Sequence, residues 1–329
     1  MKKGMVVCFV LCSMLYGCKE KSYRHMEGKI YGTYYHVTYE SDADLGAGVR
    51  EQMERVNASL SMFDGNSLIS RINRGETNDV DSLFSYLFGV AQRVNRESDG
   101  AFDITVAPLS NAWGFGYKND SLPSPEKVDS LLRYVGMSKM TLDGKHLIIS
   151  QPGMKIDASA IAKGLGVDLA AEYLEAQGII NYMVEIGGEV RVKGLSEKQR
   201  PWRIGIDKPI DDVTASDREL ELVVSLSVGS LATSGNYRNY YIRDGKKYAH
   251  TIDPRTGYPV QQDILSSSVY APTCMEADAF ATAFMVLGLE KSKEVVKNNP
   301  ELDACFIYNE GDSLKVWMSD KFKQLLLRE

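Results

Sequence analysis

Strand-like and helix-like segments follow one another along this chain without regular alternation, and that irregularity decides the class of fold. Residues 28–39 alternate aromatic and β-branched side chains as a strand does, whereas Val49, Met53, Val56 and Leu60 recur at helical spacing. Residues 83–94 predict a second helix. Ser124-Pro125-Glu126-Lys127 opens a third, with Ser124 as N-cap and Pro125 in the first helical position. Residues 158–177 predict a long helix closed by Gly178. Strands dominate afterwards, at 181–186, 189–192, 202–206, 220–228, 237–243 and 266–270. A helix over 278–287 and a late strand at 305–308 complete the pattern. A doubly wound parallel sheet needs strands and helices in strict succession. The expectation is therefore α+β: a single compact domain with a mixed, largely antiparallel sheet and packed helices. No Pro/Gly/Ser linker, low-complexity tract or internal repeat divides it. A hydrophobic content of 44% with 25% charged residues is ordinary for a globular chain.

The first residues address location. Met1-Lys2-Lys3 is a short basic region, and residues 5–15 are apolar except for Cys8, Cys12 and Ser13. The run is too short for a membrane-spanning helix of about 20 residues and has the layout of a secretory signal peptide. Leu15-Tyr16-Gly17-Cys18 resembles a bacterial lipobox, with a small residue before a cysteine that would carry lipid. The expected organisation is a signal peptide at 1–17, a lipidated tether at 18–26 that includes His25, and a soluble domain at 27–329. Lipid on Cys18 would anchor the protein to a bacterial membrane, facing the periplasm.

Of five cysteines, Cys274 and Cys305 lie beyond the lipobox, too few for a disulfide framework, and no CxxC or CxxH pair suggests zinc. A net charge of −6 without a basic run argues against nucleic-acid binding.

Three segments carry candidate chemistry. Within Glu276-Ala277-Asp278-Ala279-Phe280-Ala281-Thr282-Ala283-Phe284, Asp278 and Thr282 stand at i and i+4 and share a helix face. A carboxylate and a hydroxyl offer hard oxygens that suit magnesium. The same pattern also fits an acid near a helix N-terminus with a threonine packed behind it. Asp157, in Lys155-Ile156-Asp157-Ala158-Ser159-Ala160-Ile161-Ala162-Lys163-Gly164, is placed to cap the following helix, whose free N–H groups would favour a phosphate oxygen. Lys163 could reach the same anion, or be a solvated lysine on an ordinary amphipathic helix. It precedes its glycine, so this is no P-loop. In Lys247-Tyr248-Ala249-His250-Thr251-Ile252-Asp253-Pro254-Arg255-Thr256-Gly257-Tyr258-Pro259, a strand delivers His250 beside a tight turn, suited to proton transfer or to a structural role. Gly187-Gly188-Glu189 reads as a hairpin turn, Ala232-Thr233-Ser234-Gly235-Asn236 as a polar loop of the kind that contacts ligands or simply a turn, and Gly100-Ala101-Phe102-Asp103 as the end of a helix entering a strand.

These segments, in this order, resemble the FAD:protein FMN transferase family, the ApbE-like lipoproteins. The matching stretches include Tyr31-Gly32-Thr33-Tyr34-Tyr35, Ser61-Met62-Phe63, Ser67-Leu68-Ile69-Ser70-Arg71-Ile72-Asn73, Gly100-Ala101-Phe102-Asp103-Ile104-Thr105-Val106-Ala107-Pro108-Leu109 and Glu185-Ile186-Gly187-Gly188-Glu189. Residues 157–164, 232–235, 250–259 and 277–283 continue the match. The resemblance implies that flavin nucleotide is held at Tyr31, Phe63, Ala101, Phe102, Asp103, Asp157, Lys163 and Ile252. It implies magnesium at the Ala160 carbonyl and the Asp278 and Thr282 side chains, and His250 as base. Tyr31 stands where methionine is common in the family and Phe63 where tyrosine is frequent. Both keep a bulky surface for stacking, but a phenolic hydrogen bond at 63 is lost.

The implied reaction takes FAD as substrate and moves FMN to a serine or threonine hydroxyl of an exported flavoprotein, with release of AMP. Breaking a pyrophosphate demands neutralised charge on both phosphoryl groups, and a hydroxyl nucleophile demands a base. Two alternatives share the same residues: a magnesium-dependent FAD pyrophosphatase giving FMN and AMP, and a lipoprotein that binds flavin without chemistry.

Overall fold

The computed structural model describes residues 22–115, 122–209, 220–236, 240–243, 246–261, 263–311 and 313–327. The expected signal peptide, the expected lipobox at Cys18 and residues 237–239 of one expected strand lie outside these.

The expected strand at 28–39 is a hairpin. β1 (Tyr23–Ile30) pairs antiparallel with β2 (Thr33–Glu40). The reversal falls on Tyr31 and Gly32, both at positive φ, 51° and 75°. Alternating aromatics continue through such a turn without a break in pattern, so the sequence did not show it. β1 also begins inside the expected tether and takes His25 into the sheet.

The chain continues through α1 (Gly46–Leu60), α2 (Leu68–Asn73), α3 (Ser82–Glu97), α4 (Ala107–Ala112) and α5 (Pro125–Leu132). Ser124 caps α5 as expected, its side chain accepting from the Lys127 N–H. Residues 100–106 are a loop leading into α4, rather than the expected strand entry. Two short strands, β3 (Met140–Asp143) and β4 (His146–Ile149), precede α6 (Ala162–Ala176). Then come β5 (Tyr182–Ile186) and β6 (Glu189–Lys193), joined by Gly187-Gly188 at φ 64° and 104°, the hairpin the sequence predicts.

β7 (Trp202–Asp207) pairs with β8 (Leu220–Leu226). The expected strand at 220–228 divides at Ser227, and β9 (Val228–Gly235) absorbs most of the polar segment read as a loop. β10 (Tyr240–Arg243) and β11 (Lys246–Ala249) form a small hairpin, followed by β12 (Ile264–Ala271), α7 (Cys274–Leu287), α8 (Leu289–Asn298), β13 (Asp303–Glu310), β14 (Ser313–Met318) and α9 (Asp320–Leu325). The main sheet has eight strands in the order β1-β2-β5-β6-β9-β12-β13-β14, and every pairing within it is antiparallel. The fold is α+β, as the irregular sequence pattern predicts.

The period-two alternation of strands sorts side chains to the two faces. In β13, Ala304 and Phe306 face α7, while Cys305 and Ile307 pack with β7, β8 and Phe322 of α9. Cys274 belongs to a different cluster, among α1, α6 and β5, and both cysteines are free. α7 is buried nearly all round, with only Glu276 and Thr282 escaping full burial. Its Phe280 and Phe284 each contribute about 1.5–3 kcal/mol by leaving water.

The position of α7 is set by α6. Asp168 of α6, 2% exposed, accepts from the Cys274 and Met275 N–H groups at 2.9 and 2.8 Å. It thereby satisfies two donors at the start of α7 that no helix carbonyl can reach. Arg191 of β6 pairs with the same carboxylate at 2.8 Å. Asp168→Ala strands these partners and should cost about 3–5 kcal/mol in denaturant unfolding. A loss below about 1 kcal/mol would show that α7 is held by its apolar packing alone.

Candidate active site

The loop before α6 comes first, because its path departs from expectation. The helix predicted from 158 starts at Ala162, and Asp157 is not its cap. The Asp157 carboxylate instead accepts from the Ser159 N–H at 2.8 Å, while its own N–H donates to the Ile104 carbonyl at 2.6 Å. The physical reason lies at Gly164. In a helix running from 158, the Gly164 N–H would donate to the Ala160 carbonyl. It donates instead to Asp278 Oδ2 at 3.0 Å. That diversion shortens the helix and leaves the Ala160 carbonyl without its usual helical donor. Gly164 also permits the approach: a Cβ there would lie 2.4 Å from the Cys274 carbonyl oxygen.

Around this junction lie two adjoining chambers of about 460 and 400 Å³. Each is of the size of a small-molecule site. Both are lined by Ser110, Asp157, Ser159, Lys163 and His250. The first is walled by Tyr31, Val56, Leu60, Met62, Phe63 and Phe115. Phe63 is 84% exposed, a large ring on the chamber wall that is open to solvent. Tyr31 is fixed from behind: its hydroxyl donates to the Met53 carbonyl at 2.7 Å, and its ring fills the notch left by Gly166. Burial pushes its phenol well above the usual tyrosine range.

The second chamber is polar. Ala101, Phe102 and Asp103 line it from the loop before α4, Ile252 and His250 from the segment after β11, Ala160 from the turn before α6, Lys163 from the first turn of α6, and Asp278 and Thr282 from α7. Every residue that the resemblance singled out therefore lies on one chamber or the other. Asp103 braces its own loop, accepting from the Thr105 N–H and hydroxyl at 2.8 and 2.5 Å and from the Met137 N–H at 3.0 Å. Burial pushes its carboxyl up, against those hydrogen bonds. His250 follows β11, with its ring against Phe115 at 6.4 Å between centroids. The turn beyond it is closed by the Gly257 N–H donating to the Asp253 carbonyl at 2.8 Å, and the Trp113 indole donates to the Gly257 carbonyl.

Asp278 and Thr282 face the same chamber one helical turn apart, as their spacing predicts. Thr282 Oγ1 is 3.2 Å from Ser234 Oγ. Lys163 Nζ stands 2.9 Å from Glu189 Oε1 and 3.6 Å from Asp278 Oδ1. Burial alone would favour the neutral amine. The Asp278 and Glu189 charges more than offset it and hold the ammonium above the usual lysine range. Burial also pushes the Glu189 carboxyl up, and one ammonium cannot neutralise two buried carboxylates.

Sequence reading missed Glu189 and Ser110 as lining residues. Glu189 stood in a glycine turn and in a matching stretch without an assigned role, whereas Ser234 lies in the polar segment read as a ligand-contacting loop or a simple turn. Among the described residues no group of three or more His, Cys, Asp and Glu side chains could hold a metal. The donors that fit a cation are instead the hard-oxygen set of the Asp278 carboxylate, the Thr282 hydroxyl and the Ala160 carbonyl, a set that suits magnesium.

A model of the ApbE family matches residues 31–306. The chain belongs to the ApbE family. It is 38% identical to a FAD:protein FMN transferase of Haemophilus influenzae, covering 98% of this chain and 97% of that protein. It is 35% identical to one of Escherichia coli, covering 92% and 89%. Among solved structures, the flavin transferase ApbE from Vibrio cholerae superposes with a TM-score of 0.84 at 36% identity, covering 93% of this chain and all of that one. The ApbE protein from Thermotoga maritima gives 0.82 at 28% identity.

The contact between α6 and α7 yields a test of the site. Gly164→Ala forces the two helices apart and weakens the Gly164–Asp278 hydrogen bond, at a cost of about 1–3 kcal/mol. FAD turnover should fall by more than this loss of stability explains. A variant that keeps full activity when folded would show that Asp278 needs no such hold.

Proposed function

We propose that this protein is a FAD:protein FMN transferase, which moves the FMN half of FAD to a serine or threonine hydroxyl of another protein and releases AMP. The observation that carries the reading is the junction of the two chambers. There Lys163 and His250 line both chambers, with Asp278, Thr282 and Ala160 in the polar chamber on one side and an aromatic wall of a size for a flavin or adenine ring in the other. A dinucleotide laid across both chambers would bring its pyrophosphate to that junction.

The acceptor hydroxyl oxygen attacks the phosphorus of the FMN half. The bond from that phosphorus to the bridging oxygen breaks, and AMP leaves with the electron pair. His250 takes the hydroxyl proton, a role worth about 10²–10⁴ in rate. Lys163 faces the phosphates from the start of α6, where the helix N-terminus adds its own positive end. Magnesium held by Asp278, Thr282 and the Ala160 carbonyl would neutralise charge on both phosphoryl groups as a Lewis acid. Tyr31 and Phe63 offer the ring surfaces of the apolar chamber. Ala101, Phe102, Asp103, Asp157 and Ile252 shape the walls around the nucleotide.

The N-terminal pattern supports export and lipidation at Cys18. Residues 19–22 then separate the lipid from the start of β1, so the domain would sit close to a membrane on the periplasmic side. Exported flavoproteins are the acceptors such a location would offer.

Incubation with FAD, magnesium and a candidate acceptor, followed by mass spectrometry, should find FMN on a serine or threonine. Asp278→Ala should abolish magnesium-dependent turnover while the protein stays folded. His250→Ala should cut transfer by about 10²–10⁴ and leave FAD binding nearly unchanged. Free FMN with no labelled acceptor would point to hydrolysis instead, and FAD unchanged after long incubation to a binding protein.

A further inference from the structure

Glu189 opens β6 directly after the Gly187-Gly188 turn, and the reaction described above makes no use of it. Its side chain is 5% exposed. Oε1 accepts from Lys163 Nζ at 2.9 Å, while Oε2 is buried without a hydrogen-bond partner among the described residues. A buried carboxylate oxygen left unpaired is costly. Its sign is also wrong for a chamber that must admit a pyrophosphate. A role toward Lys163 explains both.

The ammonium stands between two carboxylates and hydrogen-bonds to one of them. It lies within hydrogen-bonding distance of Glu189 and, at 3.6 Å, outside that distance from Asp278. Attraction between full charges rises steeply as they close, and a charge-assisted hydrogen bond adds to it. Asp278 is meanwhile held in place by the neutral Gly164 N–H, which orients its carboxylate without cancelling its charge.

We propose that Glu189 is a positioning residue that draws Lys163 away from Asp278 and so keeps Asp278 available to a divalent cation. Without the Glu189 charge, the ammonium settles on Asp278 and competes with the cation there. With it, one ammonium faces two carboxylates, and the chamber keeps the net negative charge that favours a cation before substrate arrives. This inference rests on the magnesium reading above.

The test is a titration of magnesium alone into the purified full chain, read as the shift in unfolding temperature, with the magnesium dependence of FMN transfer measured beside it. Glu189→Gln keeps the side-chain volume and an acceptor for Lys163 but removes the charge. It should raise the half-saturating magnesium concentration about tenfold in both measurements, the scale expected for a close charge pair. The double variant Glu189→Gln with Lys163→Gln removes the competing ammonium as well. It should return the magnesium midpoint of the unfolding shift toward that of the unaltered protein, although transfer itself is impaired. Unchanged magnesium dependence in Glu189→Gln, or a double variant as weak as the single one, would overturn the proposal. An unaltered protein with no magnesium dependence at all would overturn the metal reading itself, and this inference with it.

Discussion

A single hydrogen bond, from the Gly164 N–H to the Asp278 carboxylate, ties together the two helices on which the site is built. It can form because Gly164 presents no side chain where α6 meets the start of α7. Its consequences run in both directions along the chain. Upstream, it draws off the donor that would otherwise extend α6 backward, which leaves the Ala160 carbonyl and the Asp157 turn at the chamber wall. Downstream, it fixes a carboxylate inside a helix whose fully buried positions are otherwise apolar. Asp168 makes the complementary contact one turn further along α6, gripping the first N–H groups of α7. The two acids are therefore held by backbone donors from opposite partners, and neither helix can slide without breaking one of them.

Electrostatics follows from that geometry. α7 is buried on nearly every side, so the Asp278 charge is poorly screened and must be balanced locally. Lys163 and Glu189 enter the same space from α6 and β6. The result is a small, largely buried group of charges beside an aromatic chamber, a combination that suits a ligand with a ring at one end and phosphates in the middle. The large sheet contributes by rigidity: β6, β9 and β12 present Glu189, Ser234 and the hydroxyl-bearing strand surface to α7 at fixed distances.

Much of this was legible from residue patterns. The i, i+4 relation of Asp278 and Thr282 is a property of any helix, and the helix was evident from its run of small apolar residues. The glycine hairpin before Glu189 and the tight turn after His250 were written in turn chemistry. Other features were not. The β1–β2 reversal sits on Tyr31, whose left-handed backbone conformation is uncommon for an aromatic residue. The strand at 228–235 is rich in small and hydroxyl side chains that local preference assigns to loops. It becomes a strand because β6 and β12 offer it partners on both sides.

By itself the sequence determined the class of fold, the family, and the residue types that gather at the site, because hydrophobic period, turn residues and motif order are local properties of the chain. It also determined that one helix would carry an acid and an alcohol on one face. Only the tertiary structure decided where α6 begins, that Asp157 turns back on its own loop rather than capping a helix, and that Glu189 belongs with Lys163. Each of those outcomes depends on a hydrogen bond or ion pair between segments far apart in sequence. Such contacts leave no periodic trace: a residue's neighbours in the chain do not record which donor or charge will reach it from across the fold.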